Sequence, residues 1–282
     1  MLLRLISRLP LPVLYALFGV IAWLTRVGGW RRDLVDDGLA RCLPEKSPQD
    51  RSGIAREFYA GLGRLVPEIL HGSRITPESL GERLRFENDV VVRDTLASGR
   101  RVLLLASHHC NWEWLLLELS RRLDVPLVAP YKRISVEGAD RWARDMRSRF
   151  GATMVEASEL VAHLIARRGQ VRLIAMLADQ SPSAKSENQT WLPFFGQETS
   201  FFQGPGWISA KLGYEPVFIA MRPDGLGRYV ARFVPLSAPG ERLGPDEVLA
   251  AYVRALERQI HEYPAQYFWA YNRWKRGKRL YD

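Results

Sequence analysis

Arg101-Val102-Leu103-Leu104-Leu105-Ala106-Ser107-His108-His109-Cys110-Asn111-Trp112-Glu113-Trp114, running on into Leu115-Leu116-Leu117-Glu118-Leu119, joins a strand, a turn and a helix in one passage. The opening apolar run has the length and continuity of a strand buried on both faces of a parallel sheet. The closing run is long enough for a helix. Between them two histidines, an asparagine and a glutamate fall at a strand-to-helix junction, the end of an open α/β sheet at which ligands gather. The spacing His108-x4-Glu113 puts the carboxylate about one helical turn beyond the imidazole, close enough for the two to converge. An imidazole held by a carboxylate is a general base for a hydroxyl. A helix cap or a solvated side chain is the plainer reading of the same two residues. No serine or cysteine stands as a nucleophile in a strand–turn–helix elbow, so the proton removed would belong to a substrate.

Outward from this passage the pattern repeats. Residues 125–131 and 152–155 read as further strands, and Val171 to Ala178 as a strong core strand that delivers Asp179-Gln180 to the same sheet edge as His108. Asp179 reads equally as a turn or cap residue. Lys132 and Arg133 follow the second strand, and a helix over about 136–150 carries Arg147, with Arg149 near its end. These cations read either as a solvated face or as a grip on anionic groups beside the cleft. A hairpin signature joins 216–221 to 229–235 around Pro223-Asp224-Gly225, and a long helix follows from Pro245. The fold class is therefore α/β, with a mostly parallel central sheet flanked by helices. Upstream, helices are expected over 33–70, broken near Pro44 to Pro48, where Ser47-Pro48 with Asp50 is a helix start.

The net charge of +9 favours an anionic partner. Two distant cysteines, Cys42 and Cys110, match no zinc or redox spacing and fit a reducing compartment. No metal ligand set or glycine-rich nucleotide motif is present, so neither metal nor cofactor is expected. Residues 9–25 carry no charge, between basic flanks. The run is short for a spanning helix, which needs roughly twenty residues, and no small-residue cleavage site follows it. It reads as an N-terminal membrane-anchoring helix, a short span or an interfacial one with Trp23 and Trp30 at headgroup level; a buried core helix is the other reading.

Two aromatic clusters, 191–196 and 201–207, contain glycine and proline. Such clusters usually read as core, but their glycine and proline argue against a regular buried element, and lining an acyl-chain groove or dipping into lipid is the other reading. The tail from Gln266 to Arg276, with Lys278 and Arg279, mixes aromatic and basic residues. That mixture suits an anionic membrane interface, or single-stranded nucleic acid.

The apolar N-terminal run, His-His-Cys-Asn-Trp-Glu at 108–113, Tyr131-Lys132, Met176 to Gln180, Leu192-Pro193-Phe194-Phe195-Gly196 and Gln266-Tyr267-Phe268-Trp269 stand in the order of one family. Over nearly its whole length the chain resembles the late lipid A acyltransferases, the lauroyl/myristoyl transferases within the glycerolipid acyltransferase superfamily. It departs from them at Tyr131-Lys132-Arg133, where many members carry Tyr-Arg-Pro. The resemblance implies an anchor at 1–32 and an acyltransferase domain at 33–282, at the cytoplasmic face of the inner membrane. It implies transfer of a fatty acyl group from acyl carrier protein, or coenzyme A, to a hydroxyl of a lipid A precursor. His108 would be the general base and Glu113 its orienting carboxylate. Lys132, Arg147 and Arg149 would hold phosphates, with Asp179 and Gln180 shaping the site. The partners implied are acyl carrier protein, an anionic glycolipid and membrane lipid, with no nucleic acid. The same chemistry on a lysophospholipid, aminolipid or polyene, and a non-catalytic protein binding anionic lipid or nucleic acid, are the competing readings.

Overall fold

A seven-stranded sheet carries the molecule, with strand order β1-β9-β8-β2-β5-β3-β4 and a separate two-stranded ribbon, β6-β7. The computed structural model describes residues 5–182 and 188–274. The strands are β1 (Leu84–Phe86), β2 (Arg101–Ala106), β3 (Leu127–Tyr131), β4 (Thr153–Glu156), β5 (Leu173–Leu177), β6 (Gln189–Phe194), β7 (Gln197–Phe202), β8 (Tyr214–Pro223) and β9 (Tyr229–Pro235). The helices are α1 (Leu11–Val27), α2 (Arg32–Cys42), α3 (Pro48–Gly72), α4 (Pro77–Arg83), α5 (Val90–Ala97), α6 (Trp112–Arg122), α7 (Glu137–Arg147), α8 (Leu160–Ala166), α9 (Gly204–Leu212) and α10 (Pro245–Glu262). Strands β8, β2, β5, β3 and β4 are parallel, and β9 turns back antiparallel on β8 with β1 parallel beside it.

The apolar run of β2 works as its continuity demands. Leu103 and Leu105 pack into a core with Tyr252, Leu256 and Ile260 of α10. Val102 and Leu104 face the other way, into a core with Trp114, Leu115 and Leu117 of α6. Alternate residues serve two helical layers, so every position of the central strand must be apolar. The start of α3 is fixed locally: the Ser47 hydroxyl accepts from the Asp50 N–H, Asp50 answers the Ser47 N–H, and Pro48 fills the first helical position.

Strand β1, paired with β9, is too short at three residues to show a period in the sequence. Two expectations need correction. The aromatic clusters are regular structure: β6 and β7 form an antiparallel hairpin around Phe195 and Gly196, both at positive φ. Phe194 and Phe201 are fully buried, while Trp191 and Phe202 are exposed. The tail as far as Trp274 is interior rather than interfacial, with Tyr267, Trp269 and Arg273 all buried. It pairs with the turn after β2, Phe268 N–H donating to the His108 carbonyl at 2.9 Å and Cys110 N–H to Gln266 at 3.1 Å. Lys275, Arg276, Lys278 and Arg279 lie outside the described residues.

Helix α1 is half packed. Leu11 and Leu14 are buried, and Gly63 of α3 admits the close approach of Gly19 and Ala22. Its other side exposes Val13, Leu17, Val20, Trp23, Leu24 and Val27. Among the described residues no single helix is long and apolar enough to cross a membrane; α1 and α2 reach that length only as a pair bent by 81°. The N-terminal helix is thus packed on one side and apolar and exposed on the other.

Candidate active site

Strands β2 and β5 are neighbours, with Ala106 opposite Leu177, so their carboxyl ends release His108 and Asp179 side by side. The contact is direct: His108 Nδ1 lies 2.8 Å from Asp179 Oδ1, and the His108 N–H donates to Asp179 Oδ2 at 3.2 Å. Asp179 is buried. Burial alone would raise its carboxyl pKa, but the imidazole and its two hydrogen bonds outweigh burial and hold it below the usual carboxylate value. Burial disfavours the His108 imidazolium, and the Asp179 carboxylate more than offsets this, so the imidazole titrates above its ordinary value. With Nδ1–H donated to Asp179, the neutral ring carries its lone pair on Nε2, and the Gln180 amide stands 3.4 Å from that atom.

Glu113 does not hold His108. Its carboxylate is taken by Arg147 in a two-point ion pair, Nε to Oε2 at 2.8 Å and Nη2 to Oε1 at 2.5 Å. Burial works against the Arg147 charge, and Glu113 more than compensates, raising its pKa. Glu113 acts on His108 only through space, favouring its charged form. The His-x4-Glu spacing did bring both residues to one cleft, but it selected the wrong contact, because no local pattern reveals that β5 lies next to β2.

The cleft beside them has a volume of about 1150 Å³. His108, Trp112, Glu113, Lys132, Arg133, Arg147 and Gln180 contribute to its wall, with Leu104, Leu115, Leu116 and Leu119. The exposed rings of the ribbon, Trp191 and Phe202, line it as well. Arg149 is not in this wall; its guanidinium donates to the Gly72 and Ile75 carbonyls at 2.7 and 3.1 Å, closing the end of α3. Asp179 stands behind the imidazole rather than in the cleft.

His109 is not part of the cleft wall. It is buried, and desolvation pushes its imidazole down to about 3, so it is neutral. Around His108 the Trp112 ring packs edge-on at 4.9 Å and Phe268 at 6.4 Å. Two further buried charges support the turn and were not singled out in the sequence. Arg273 donates to the Asp179 carbonyl and to Ser200 O at 3.2 Å, with its guanidinium 4.1 Å from the Phe201 ring centroid. Glu68 accepts from Asn111 Nδ2 at 2.9 Å. Each leaves a faint signal, a lone charge inside an apolar or aromatic run (Leu65-Val66-Pro67-Glu68-Ile69-Leu70; Trp269 to Trp274).

A histidine–carboxylate pair at adjoining strand ends, opening on a deep cleft with leucine walls and cationic side chains, suits acid–base chemistry on an amphipathic substrate. The chain belongs to the bacterial lipid A biosynthesis acyltransferase family, whose model matches residues 1–276, and it is an acyltransferase. A comparison with curated proteins returned no match.

Proposed function

We propose that the protein transfers a fatty acyl group from a thioester, carried by acyl carrier protein or coenzyme A, to a hydroxyl of a lipid A precursor, with His108 as general base. The observation that carries this reading is the His108–Asp179 contact, which leaves Nε2 as the free base on a ring that lines the cleft. Nε2 takes the hydroxyl proton as the oxygen attacks the thioester carbon. Asp179 holds the ring and balances the imidazolium. The tetrahedral oxyanion needs donors. Cys110 N–H and Trp114 N–H are committed to Gln266 O and Asn111 Oδ1, so the Trp112 and Glu113 N–H groups at the start of α6 are the candidates, with that helix's dipole behind them. Collapse expels the thiolate, and the imidazolium returns the proton to it.

Lys132 and Arg147 would hold phosphates of the acceptor or carrier, Glu113 setting the Arg147 fork. Gln180 would steady the nucleophile. The apolar wall suits an acyl chain. The exposed face of α1, with Trp23 and nearby Trp30, would seat the enzyme on the cytoplasmic side of the inner membrane.

The test is acyl transfer by purified His108→Ala, which is expected to lose about 10²–10⁴-fold in rate while remaining folded. Near wild-type rate in that variant would end the proposal. Mass spectrometry of lipid A from cells with and without the gene identifies the acceptor.

A further inference from the structure

Outside the cleft, a fully buried carboxylate ties three separate elements to the turn that carries His108. Glu68 of α3 accepts from Tyr15 of α1 at 2.8 Å on Oε1, and from Tyr229 of β9 at 2.7 Å and Asn111 at 2.9 Å on Oε2. Its main-chain carbonyl accepts from Trp114 Nε1 at 2.9 Å. The β8–β9 loop closes over this group: a Cβ on Gly227 would stand 2.3 Å from the Tyr15 hydroxyl and 3.5 Å from Glu68 Oε1.

Cohesion alone does not call for an acid here. A carboxylate is costly to desolvate, and an apolar side chain of similar volume packs an interior as well or better. Burial raises the Glu68 pKa, and the donors Tyr229, Asn111 and Tyr15 work against that rise; what the ionised carboxylate adds is direction, because it only accepts. Asn111 is buried and used at both ends: Nδ2 donates to Glu68, and Oδ1 accepts the Trp114 N–H as the cap of α6. Glu68 therefore fixes which way the amide faces, and with it the cap. Reversing that amide would set oxygen against carboxylate and NH₂ against N–H. Between Asn111 and His108 the chain passes through Cys110 at φ 53°, a left-handed conformation that a non-glycine residue keeps only where its surroundings enforce it.

We infer that Glu68 is a positioning residue for His108, acting through Asn111, and that Tyr15 extends its hold to the N-terminal helix, so that seating of α1 and the geometry of the catalytic turn are linked. The inference rests on the acyl-transfer reading given above. Neither Glu68 nor Tyr15 is among the residues that line the cleft, so their effect is on the base's placement rather than on substrate affinity.

The experiment compares full-length wild type, Tyr15→Phe, Glu68→Gln, Glu68→Leu and His108→Ala, using a dodecanoyl thioester of acyl carrier protein and a phosphorylated lipid A precursor. Circular dichroism and thermal melting establish folding. The expected result is a fall in kcat of about tenfold in Tyr15→Phe and about 10²-fold in Glu68→Leu, with KM for both substrates nearly constant. Glu68→Gln should recover part of that loss, since its amide oxygen still accepts. If Glu68→Leu does not fold, Tyr15→Phe, which removes one hydroxyl, decides. Wild-type kcat in folded Tyr15→Phe and Glu68→Gln, with only Tm lowered, overturns the inference while leaving the reaction intact, provided His108→Ala is inactive. A fully active His108→Ala overturns the reaction reading and this inference with it.

Discussion

His108 Nδ1 and Asp179 Oδ1 stand 2.8 Å apart although the two residues are 71 positions apart in the chain. Nothing between the two dictates that contact; it exists because β2 and β5 are hydrogen-bonded neighbours that end at the same level. The pair sets both the tautomer of the imidazole and the pH range in which it is a base.

Asp179→Asn should expose that control. In the wild type the neutral imidazole, the form able to take a proton, forms only as pH rises through a midpoint above the ordinary histidine value of about 6.5. Without the carboxylate's charge, burial of the ring dominates and the midpoint of the kcat/KM profile should move down. The plateau rate should fall about 10²-fold or more as ring orientation is lost. An unmoved midpoint would remove Asp179 from the mechanism.

The same pair makes a signed contribution to stability. The raised His108 pKa gives stabilisation that is complete below the unfolded imidazole value and is lost as pH rises through the folded one. The lowered Asp179 pKa gives stabilisation that is present above the unfolded carboxylate value and is lost as pH falls through the folded one. The Tm difference between wild type and Asp179→Asn should therefore be largest between about pH 4 and 6.5 and shrink on either side. Thermal melts across that range measure it.

Glu113 and Arg147 should behave as one unit. Their side chains are 6% and 22% exposed, so removing either leaves a largely buried charge unpaired, at a cost of about 3 kcal/mol. Removing both, as Glu113→Leu with Arg147→Met, should cost less than the sum of the single changes, with a coupling of roughly 1–3 kcal/mol. A double-mutant cycle by urea denaturation tests this; strict additivity would mean the pair is not coupled.

Two glycines of α3 should respond oppositely to alanine. At Gly63 a Cβ would stand 3.0 Å from both Ala22 Cβ and the Phe18 carbonyl, so Gly63→Ala should force α1 away and destabilise by roughly 1–3 kcal/mol. At Gly53 the nearest atom is the end of the Arg56 side chain at 3.9 Å, and Gly53→Ala should stabilise by about 0.5–1 kcal/mol. Equal responses in calorimetry would contradict the α1–α3 packing.

Serine at Val20, Trp23 and Leu24 together should release the protein from vesicles containing anionic lipid while changing stability little, since all three side chains are exposed. Flotation assays read the first effect and melting the second. Retained flotation would place the membrane contact elsewhere.

Much of the architecture was legible residue by residue. The unbroken apolar run of β2 demanded helices on both faces, Ser47-Pro48 announced α3, and the hairpin β8–β9 was written in its turn. The placing of His108 and Asp179 at strand ends on one edge of the sheet could be read in the same way, as could the family, from motifs in a fixed order. These are local patterns, and period, cap and turn chemistry act over a few residues. What local pattern could not supply was adjacency. That Asp179 and not Glu113 touches His108, that Arg147 neutralises Glu113 while Arg149 closes a distant helix end, and that the aromatic tail is interior all follow from strand order and layer packing. The same holds for Glu68 beneath Asn111. Strand order and packing depend on the burial of surfaces far apart in the chain, so these contacts take their partners from the tertiary structure alone.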